Sequence, residues 1–234
     1  SEDMMIRLDM SEYQDTSSIH RMIGVPGSGQ GGLLTEAIRK NPFSILLLDE
    51  LEKASPDILN IFLQVFDDGR LTDAAGRTVD FTNAIIIATS NAGTQYIQDA
   101  VGRGEDLATV KTHLFEEELR GIYRPEFLNR FDGVIVFKPL VQADVLAITE
   151  LFMAQVSKHL EPKGIGFRAE PEAIAELAQK GFDPKFGARP LRRLVQEEVD
   201  NAIANALLEG KVIRRDTIIL QAGGTIRIEE AQIL

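Results

Sequence analysis

Cysteine and tryptophan are absent from this chain of 234 residues, and histidine and tyrosine occur only three times each. Without cysteine, a disulfide framework and a thiolate metal site are excluded, and the composition fits a reducing compartment. The histidines, His20, His113 and His159, stand far apart and lack metal-ligand spacing. No apolar run approaches the length of a membrane span, and the first residues do not resemble a signal peptide, so no membrane partner is expected.

Basic residues are also in the minority, since 25 Lys and Arg oppose 36 Asp and Glu and the formal net charge is -11. This balance argues against nonspecific nucleic-acid binding, which depends on neutralising phosphates. The chain is 44% hydrophobic and 26% charged. At this length, the composition is sufficient for a large domain with a real core and a smaller second domain.

The most informative segment is Ile45-Leu46-Leu47-Leu48-Asp49-Glu50, an apolar run that ends in two acids. Such a run predicts a strand buried on both faces of a parallel sheet, where ligands sit outside the carboxyl ends of the strands. Because successive strand side chains point to opposite faces, Asp49 and Glu50 are expected to have different roles. One can hold a hydrated Mg²⁺ while the other orients or deprotonates a water in NTP hydrolysis. The alternative is an ordinary strand end capped by solvated acids.

Three further motifs follow this strand. The apolar segment Ala84–Thr89 ends in Ser90-Asn91, which puts a neutral amide at the same predicted sheet edge. The segment Arg124–Asp132 has two arginines around a short apolar turn, and the segment Gly187–Arg193 opens a helix with arginine in its first turns. Alone, each of these arginines would be interpreted as a member of a surface ion pair.

An acid pair, an amide and two arginine motifs, in that order, resemble the AAA+ ATPases. Four longer segments resemble the second ATPase module of the Clp unfoldases and disaggregases: Asp49–Ala54, Leu63–Asp73, Thr89–Asn91 and Gly187–Arg193. The resemblance extends from about Asp3 to the last predicted strand. It implies a ring-forming enzyme that couples ATP hydrolysis to the threading of protein substrates.

The predicted fold is α/β, with a parallel-sheet AAA+ large domain over residues 1–138 and a small lid domain over residues 139–234. Strands alternating with helices indicate the parallel sheet. The predicted strands of the large domain are Met5–Met10, Ser44–Asp49, Ala84–Thr89 and Gly133–Phe137, with a hairpin between Arg70 and Phe81. The small domain is predicted to be mainly helical and to end in a β-hairpin around Gly223-Gly224.

The resemblance also implies a role for individual residues. Asp49 would contact the nucleotide through its Mg²⁺, which it would hold through water, and Glu50 would polarise the attacking water. Asn91 would help to place this water beside the γ-phosphate. Arg130 would act in trans as an arginine finger that completes the site of a neighbouring subunit. Arg189 would sense the γ-phosphate in cis. The cofactors of the complete protein would be ATP and Mg²⁺.

One departure from the family concerns the phosphate-binding loop. No G-x-x-x-x-G-K-[ST] motif occurs in the sequence, so the backbone cradle and the lysine that hold the phosphates are absent from it. Either the sequence is a fragment, or residues present in the molecule are omitted from it. In the family this loop lies upstream of the Met5–Met10 strand, and its own strand lies in the middle of the sheet. The large domain is therefore expected to be incomplete at its N-terminus, and the chain as given is expected to bind ATP poorly and to be inactive alone.

A second departure concerns the loop between Arg21 and Gly32, which resembles the substrate-gripping pore loop of the family. Family loops carry an aromatic residue at the tip, whereas here Pro26 is followed directly by Gly27. The alternative interpretation is a plain Gly/Ser linker. The pore-loop residues implied by the resemblance are Gly24, Val25, Pro26, Gly27, Gly29, Gly31 and Gly32.

The expected partners are other copies of the chain in a homo-oligomeric ring, with a hexamer expected, and unfolded or aggregated proteins as substrates. A ClpP-like peptidase is not favoured. The nearest match to its docking tripeptide, Val101-Gly102-Arg103, ends in a charge that an apolar pocket would leave unpaired. This favours a ClpB-like disaggregase in the cytoplasm or in an organelle matrix of bacterial origin. The alternative is a non-catalytic oligomerisation piece of such a protein, and a clamp loader is disfavoured by the acidic charge.

Overall fold

A computed structural model describes residues 4–183 and 186–231, which form two compact units that divide between Lys138 and Pro139. The first unit contains a parallel sheet, an antiparallel hairpin and six α-helices in its described part. Its strands are β1 Met5–Asp9, β2 Ile45–Asp49, β3 Arg70–Thr72, β4 Thr78–Asp80 and β5 Ile85–Ala88. Its helices are α1 Ile19–Ile23, α2 Leu33–Lys40, α3 Pro56–Asp68, α4 Thr94–Gly102, α5 Leu107–His113 and α6 Pro125–Leu128.

The parallel sheet has the strand order β1-β2-β5, which confirms the predicted α/β class. In the register of β1 and β2, Asp9 lies opposite Asp49, so both strands end at the same edge in aspartate. Leu46 and Leu48 of β2 are fully buried, while Ile45 and Leu47 are partly buried. The apolar run therefore holds β2 in the middle of the sheet and delivers Asp49 and Glu50 to the edge.

Helix α3 packs its apolar face, with the fully buried Ile58 and Phe62, into the core of this unit. The N-cap residue is Ser55, whose hydroxyl accepts a hydrogen bond from the N–H of Ile58, and Pro56 occupies the first turn. The helix ends at Gly69, which has a φ of 63° and is therefore in the left-handed region. Strands β3 and β4 follow as an antiparallel hairpin, as the sequence predicted.

The predicted buried strand Gly133–Phe137 is wrong, because the structure assigns no strand there. The side chains of Ile135 and Phe137 are 82% and 84% exposed. Strand β5 is the last strand of the sheet in the described part of the chain, and its Ile85 is 63% exposed. β propensity alone does not place a segment in a sheet, and no described segment pairs with the outer edge of β5.

The second unit is mainly helical and ends in a small sheet, in agreement with the predicted fold class. Its helices are α7 Gln142–Leu160, α8 Pro171–Gly181, α9 Arg189–Val195 and α10 Asn201–Leu208, and a π-helical turn over Gln196–Asp200 links the last two. Its strands are β6 Gly166–Ala169, β7 Thr217–Leu220 and β8 Ile226–Glu229. Strands β7 and β8 form the predicted hairpin, and β6, which the sequence reading did not predict, pairs in parallel with β7.

Candidate functional site: the acid turn at the edge of the parallel sheet

Asp49 is the last residue of β2, and both of its carboxylate oxygens are engaged by neighbouring strands. The Thr89 hydroxyl, just beyond β5, donates to Oδ1 at 2.5 Å, and the Arg7 guanidinium of β1 pairs with Oδ2. The hydrogen bonds from Thr89 and from Arg7 hold the pKa of Asp49 below its ordinary value. Asp49 is therefore an anion at neutral pH, with 24% of its side chain exposed at the sheet edge.

Glu50 lies just beyond the strand in a backbone conformation that L-residues rarely adopt. Its φ and ψ are 54° and 49°, in the left-handed region. Its N–H donates to the Thr89 hydroxyl at 3.1 Å, and its carbonyl accepts from the N–H of Lys53 at 2.9 Å. This turn, residues 49–53, is called the acid turn. It separates the side chains of the two acids, as strand alternation also does. Strained residues of this kind cluster at functional sites.

Asn91 follows β5 at the same edge of the sheet, and its backbone is held on both sides. Its N–H donates to Oε1 of Glu52 at 3.2 Å. Its carbonyl accepts from the backbone N–H and the hydroxyl of Thr94 at 3.2 and 2.6 Å. The residue is exposed, so the amide sits at the surface of the edge that also carries Asp49 and Glu50.

Arg130 does not take part in the contacts of this edge. It follows α6, its side chain is 48% exposed, and its guanidinium pairs with Asp67 near the C-terminus of α3. Arg189 belongs to the second unit, where it is the exposed first residue of α9 and its N–H bonds to the carbonyl of Phe186.

The glycine-containing loop lies between α1 and α2. Gly24 ends α1 with a φ of 100°, and a Cβ there would lie 2.5 Å from the carbonyl oxygen of Gln30, so this position requires glycine. Val25 is 53% exposed, and its carbonyl accepts from the N–H of Ser28 in a turn that contains Pro26 and Gly27. The remaining named residues of the loop are Gly29, Gly31 and Gly32.

The base of this loop is joined to the β3–β4 hairpin by a charged cluster. The Arg77 guanidinium bonds to Asp73 and to Glu36 of α2. A Cβ on Gly31 would lie 2.5 to 2.9 Å from polar atoms of these three side chains. The N–H of Ala74 also donates to the carbonyl of Ile23 at the end of α1, at 2.9 Å. The hairpin and the loop are therefore linked at their bases.

Sequence reasoning missed three residues of the site: Arg7 and Thr89, which bond to Asp49, and Glu52, which bonds to Asn91. Thr89 and Glu52 lie inside the quoted motifs, and a polar residue directly after an apolar strand could have signalled Thr89. Arg7 carried no signal, because its relation to Asp49 depends on the register of β1 against β2. Between residues 4 and 183 and between 186 and 231, no helix has the length and apolar character needed to cross a membrane.

Comparison with protein families matches both units. Residues 1–134 match the family described as "AAA domain (Cdc48 subfamily)". Residues 140–220 match the family described as "C-terminal, D2-small domain, of ClpB protein".

Several curated proteins are similar over most of the chain. The protein named "Chaperone protein ClpB" from Meiothermus ruber is 45% identical over 216 residues, which cover 91% of this chain and 25% of that protein. The protein of the same name from Bdellovibrio bacteriovorus is 46% identical over 228 residues, 96% of this chain and 26% of that protein. The one from Aquifex aeolicus is 45% identical over 231 residues, which cover 94% of this chain and 23% of that protein. The chain thus spans about a quarter of the length of these relatives.

Proposed function

This chain belongs to the Clp family of AAA+ proteins, and we propose that its first unit is the hydrolytic part of an ATPase module that drives the threading of protein substrates. The observation that carries the proposal is the acid turn, where the single Thr89 hydroxyl joins Asp49 to the backbone of Glu50 at the carboxyl edge of a parallel sheet. Ligands of open α/β sheets bind outside this edge.

The residues of the turn fit a magnesium–nucleotide complex. Asp49 presents an anionic oxygen donor, which Mg²⁺ prefers, and its lowered pKa keeps it ionised at neutral pH. Bound Mg²⁺ would neutralise negative charge on the phosphates while the γ-phosphoryl group is transferred to water. Asp49 would hold the ion through water, and Arg7 would then have to release or share the Oδ2 oxygen with which it pairs.

Glu50 is the proposed general base, and its left-handed backbone turns its side chain out of the alternation of β2. The hydrogen bond from its N–H to Thr89 and the bond from Lys53 to its carbonyl fix this conformation. These backbone bonds fix the direction in which the side chain leaves the chain, from which its carboxylate would reach the attacking water. Asn91 would orient the same water through its amide.

The remaining roles are proposed from the family. Arg130 would act on the site of a neighbouring subunit in a ring, and its partly exposed side chain is within the reach of a second chain once Asp67 releases it. Arg189 would respond to the γ-phosphate. The loop of residues 24–32 would contact an unfolded or aggregated protein substrate, with the exposed Val25 as its largest apolar side chain. A hexameric ring, the cytoplasmic location and independence from a ClpP-like peptidase belong to this proposal.

A second candidate function, a non-catalytic oligomerisation module, is favoured by one observation. The 234 residues contain no G-x-x-x-x-G-K-[ST] motif, which supplies most phosphate contacts in this kind of ATPase. ATP binding measured by calorimetry on these 234 residues and on the full-length protein, with its other ATPase module inactivated, separates the two functions. Binding and turnover by the full-length protein support the ATPase module, whereas binding by neither supports the second candidate.

The Glu50→Gln variant of the full-length protein, with its other ATPase module inactivated, tests the ATPase proposal. The amide keeps the size of the side chain but is not a base, so turnover should fall by about 100-fold or more while nucleotide affinity is retained. Phosphate release and nucleotide binding are measured in parallel. Turnover close to that of the unmodified protein would remove Glu50 from the role of base.

A further inference from the structure

Glu52 is a carboxylate that the proposed mechanism does not use, although it lies in the turn that follows Glu50. Its Oε1 accepts the N–H of Asn91 at 3.2 Å, whereas its Oε2 is buried and has no hydrogen-bond partner among the described residues. A buried carboxylate oxygen without a partner lowers stability, because it loses its water without compensation. A residue that only stabilised the fold would not need such an oxygen.

The hydrogen bond from the N–H of Asn91 to Glu52 restrains the backbone of Asn91, which Asp49 and Glu50 of the acid turn do not contact. Thr89 ties the end of β5 to Asp49 and Glu50, but Asn91 lies two residues further on. Its carbonyl is held by Thr94 of α4 and its N–H by Glu52. Removing Glu52 would therefore release one of the two backbone restraints on Asn91 while leaving the Thr89 contacts in place.

The same cluster extends to the segment before Arg130. The hydroxyl of Tyr123 donates to the Ser90 hydroxyl at 3.4 Å, next to Asn91 in the chain. The Tyr123 ring is 4% exposed and stacks on Phe127 of α6 with centroids 5.7 Å apart. Burial raises the pKa of Tyr123 to about 12, and the charge of Glu52 adds to this rise, so the phenol stays a hydrogen-bond donor.

We propose that Glu52 is a positioning residue that sets the direction of the Asn91 amide and that, with Ser90 and Tyr123, connects the acid turn to the helix preceding Arg130. The proposal rests on the proposed ATPase function and assigns Glu52 no contact with nucleotide. Its effect is exerted through the backbone of Asn91. Loss of Glu52 should therefore slow the chemical step and leave nucleotide affinity nearly unchanged.

The test compares four variants of the full-length protein with the other ATPase module inactivated: Glu52→Ala, Glu52→Gln, Tyr123→Phe and Glu116→Ala. Glu116 is an exposed acid of the first unit, so it serves as the matched control.

We expect Glu52→Ala to lower kcat by about tenfold, which corresponds to the loss of one hydrogen bond of roughly 1.4 kcal/mol. The KM for ATP should change by less than about threefold. Glu52→Gln keeps an acceptor for the Asn91 N–H and should restore kcat to within about threefold of the unmodified protein. Tyr123→Phe should lower kcat by a smaller factor.

A second measurement does not depend on ATP. Amide hydrogen exchange of Asn91 in the 234-residue chain should be faster in Glu52→Ala than in Glu52→Gln or Glu116→Ala. Unchanged exchange of Asn91 in Glu52→Ala, or a normal kcat in this variant while Glu50→Gln is inactive, would overturn the proposal. Equal losses of kcat in Glu52→Ala and Glu52→Gln would also overturn it, because the charge and not the bond to Asn91 would then matter. Absence of ATP turnover in the unmodified sequence, tested in the same full-length background, would instead count against the ATPase assignment itself, and normal turnover by Glu50→Gln would count only against Glu50 as the base.

Discussion

The hydroxyl of Thr89 donates a hydrogen bond to Oδ1 of Asp49 at 2.5 Å and accepts one from the N–H of Glu50 at 3.1 Å. One side chain at the end of β5 therefore fixes the carboxylate of the first acid and the backbone of the second. The carbonyl of Thr89 also accepts the N–H of Leu51 at 2.9 Å, so Thr89, directly after β5, is bonded to the acid turn at three points. The relative placement of Asp49 and Glu50 depends on this neighbouring strand as much as on β2.

Thr89→Val should reduce both stability and turnover, because the isosteric methyl group removes a charge-assisted bond to Asp49 and a bond to Glu50. The expected loss in the free energy of unfolding is about 1–3 kcal/mol. Urea denaturation of the 234-residue chain measures it, and ATP turnover of the full-length protein gives the second readout. Thr89→Ser keeps the hydroxyl and is the matched control. Equal stabilities of the Val and Ser variants would show that the hydroxyl contributes nothing.

Glu50→Gly should be more stable than Glu50→Ala, although glycine usually destabilises. A side chain costs about 1–2 kcal/mol in the left-handed region that Glu50 occupies, and glycine does not have this cost. After the greater flexibility of glycine in the unfolded chain is subtracted, a difference of about 1 kcal/mol should remain. Denaturant midpoints of the two variants measure it. An alanine variant as stable as the glycine variant would contradict a left-handed Glu50.

The sequence predicted those parts of the site that depend on local patterns. The run Ile45–Leu48 predicted the strand, and its end placed the two acids at the edge of a parallel sheet. The contact between Arg7 and Asp49 and the bond between Glu52 and Asn91 join residues 42 and 39 positions apart. Such pairs depend on register and on the path of a turn, which no local pattern encodes.

The segment Gly133–Phe137 is a strand that the sequence predicted and that the structure does not contain. Its run of three β-branched residues followed by Phe137 carries a strong strand signal, yet Ile135 and Phe137 are almost fully exposed. Strand formation requires a partner strand, and β propensity describes only how well a side chain fits a pleated surface. In the second unit, β6 was missed for the converse reason, since the four residues Gly166–Ala169 are too short to show alternation and pair with β7 through a long connection.

Arg130 should be needed by the neighbouring subunit and not by its own. In mixed full-length rings, subunits that carry Arg130→Ala retain Glu50, and subunits that carry Glu50→Gln retain Arg130. With the other ATPase module inactivated, interfaces that pair the two intact halves should hydrolyse ATP. Rings of Arg130→Ala alone should lose activity by about 1,000-fold or more, and rings of Glu50→Gln alone by about 100-fold or more. Turnover is measured against the mixing ratio once mixed rings are demonstrated. If no mixture exceeds the single variants, the trans assignment fails.

The free energy of unfolding of the first unit should decrease at acid pH, because Asp73 belongs to the charged cluster that joins the β3–β4 hairpin to α2. Burial raises the pKa of Asp73, but hydrogen bonds from the backbone N–H and guanidinium of Arg77 and from the N–H of Ala75 outweigh it, so the pKa lies below its ordinary value. A carboxyl group whose pKa is lower in the folded state contributes stability above its unfolded value of about 3.9. This contribution is lost as the pH falls through the folded-state pKa.

The difference in unfolding free energy between the unmodified chain and Asp73→Asn isolates this contribution from other titrating carboxylates. It should be constant between pH 5 and 7, on the upper side of the transition, and should shrink as the pH falls below about 4. Urea midpoints at a series of pH values measure it, with Glu116→Gln as the control that leaves the cluster intact. A difference that stays constant down to about pH 2.5 would mean that Asp73 gains nothing from its charge.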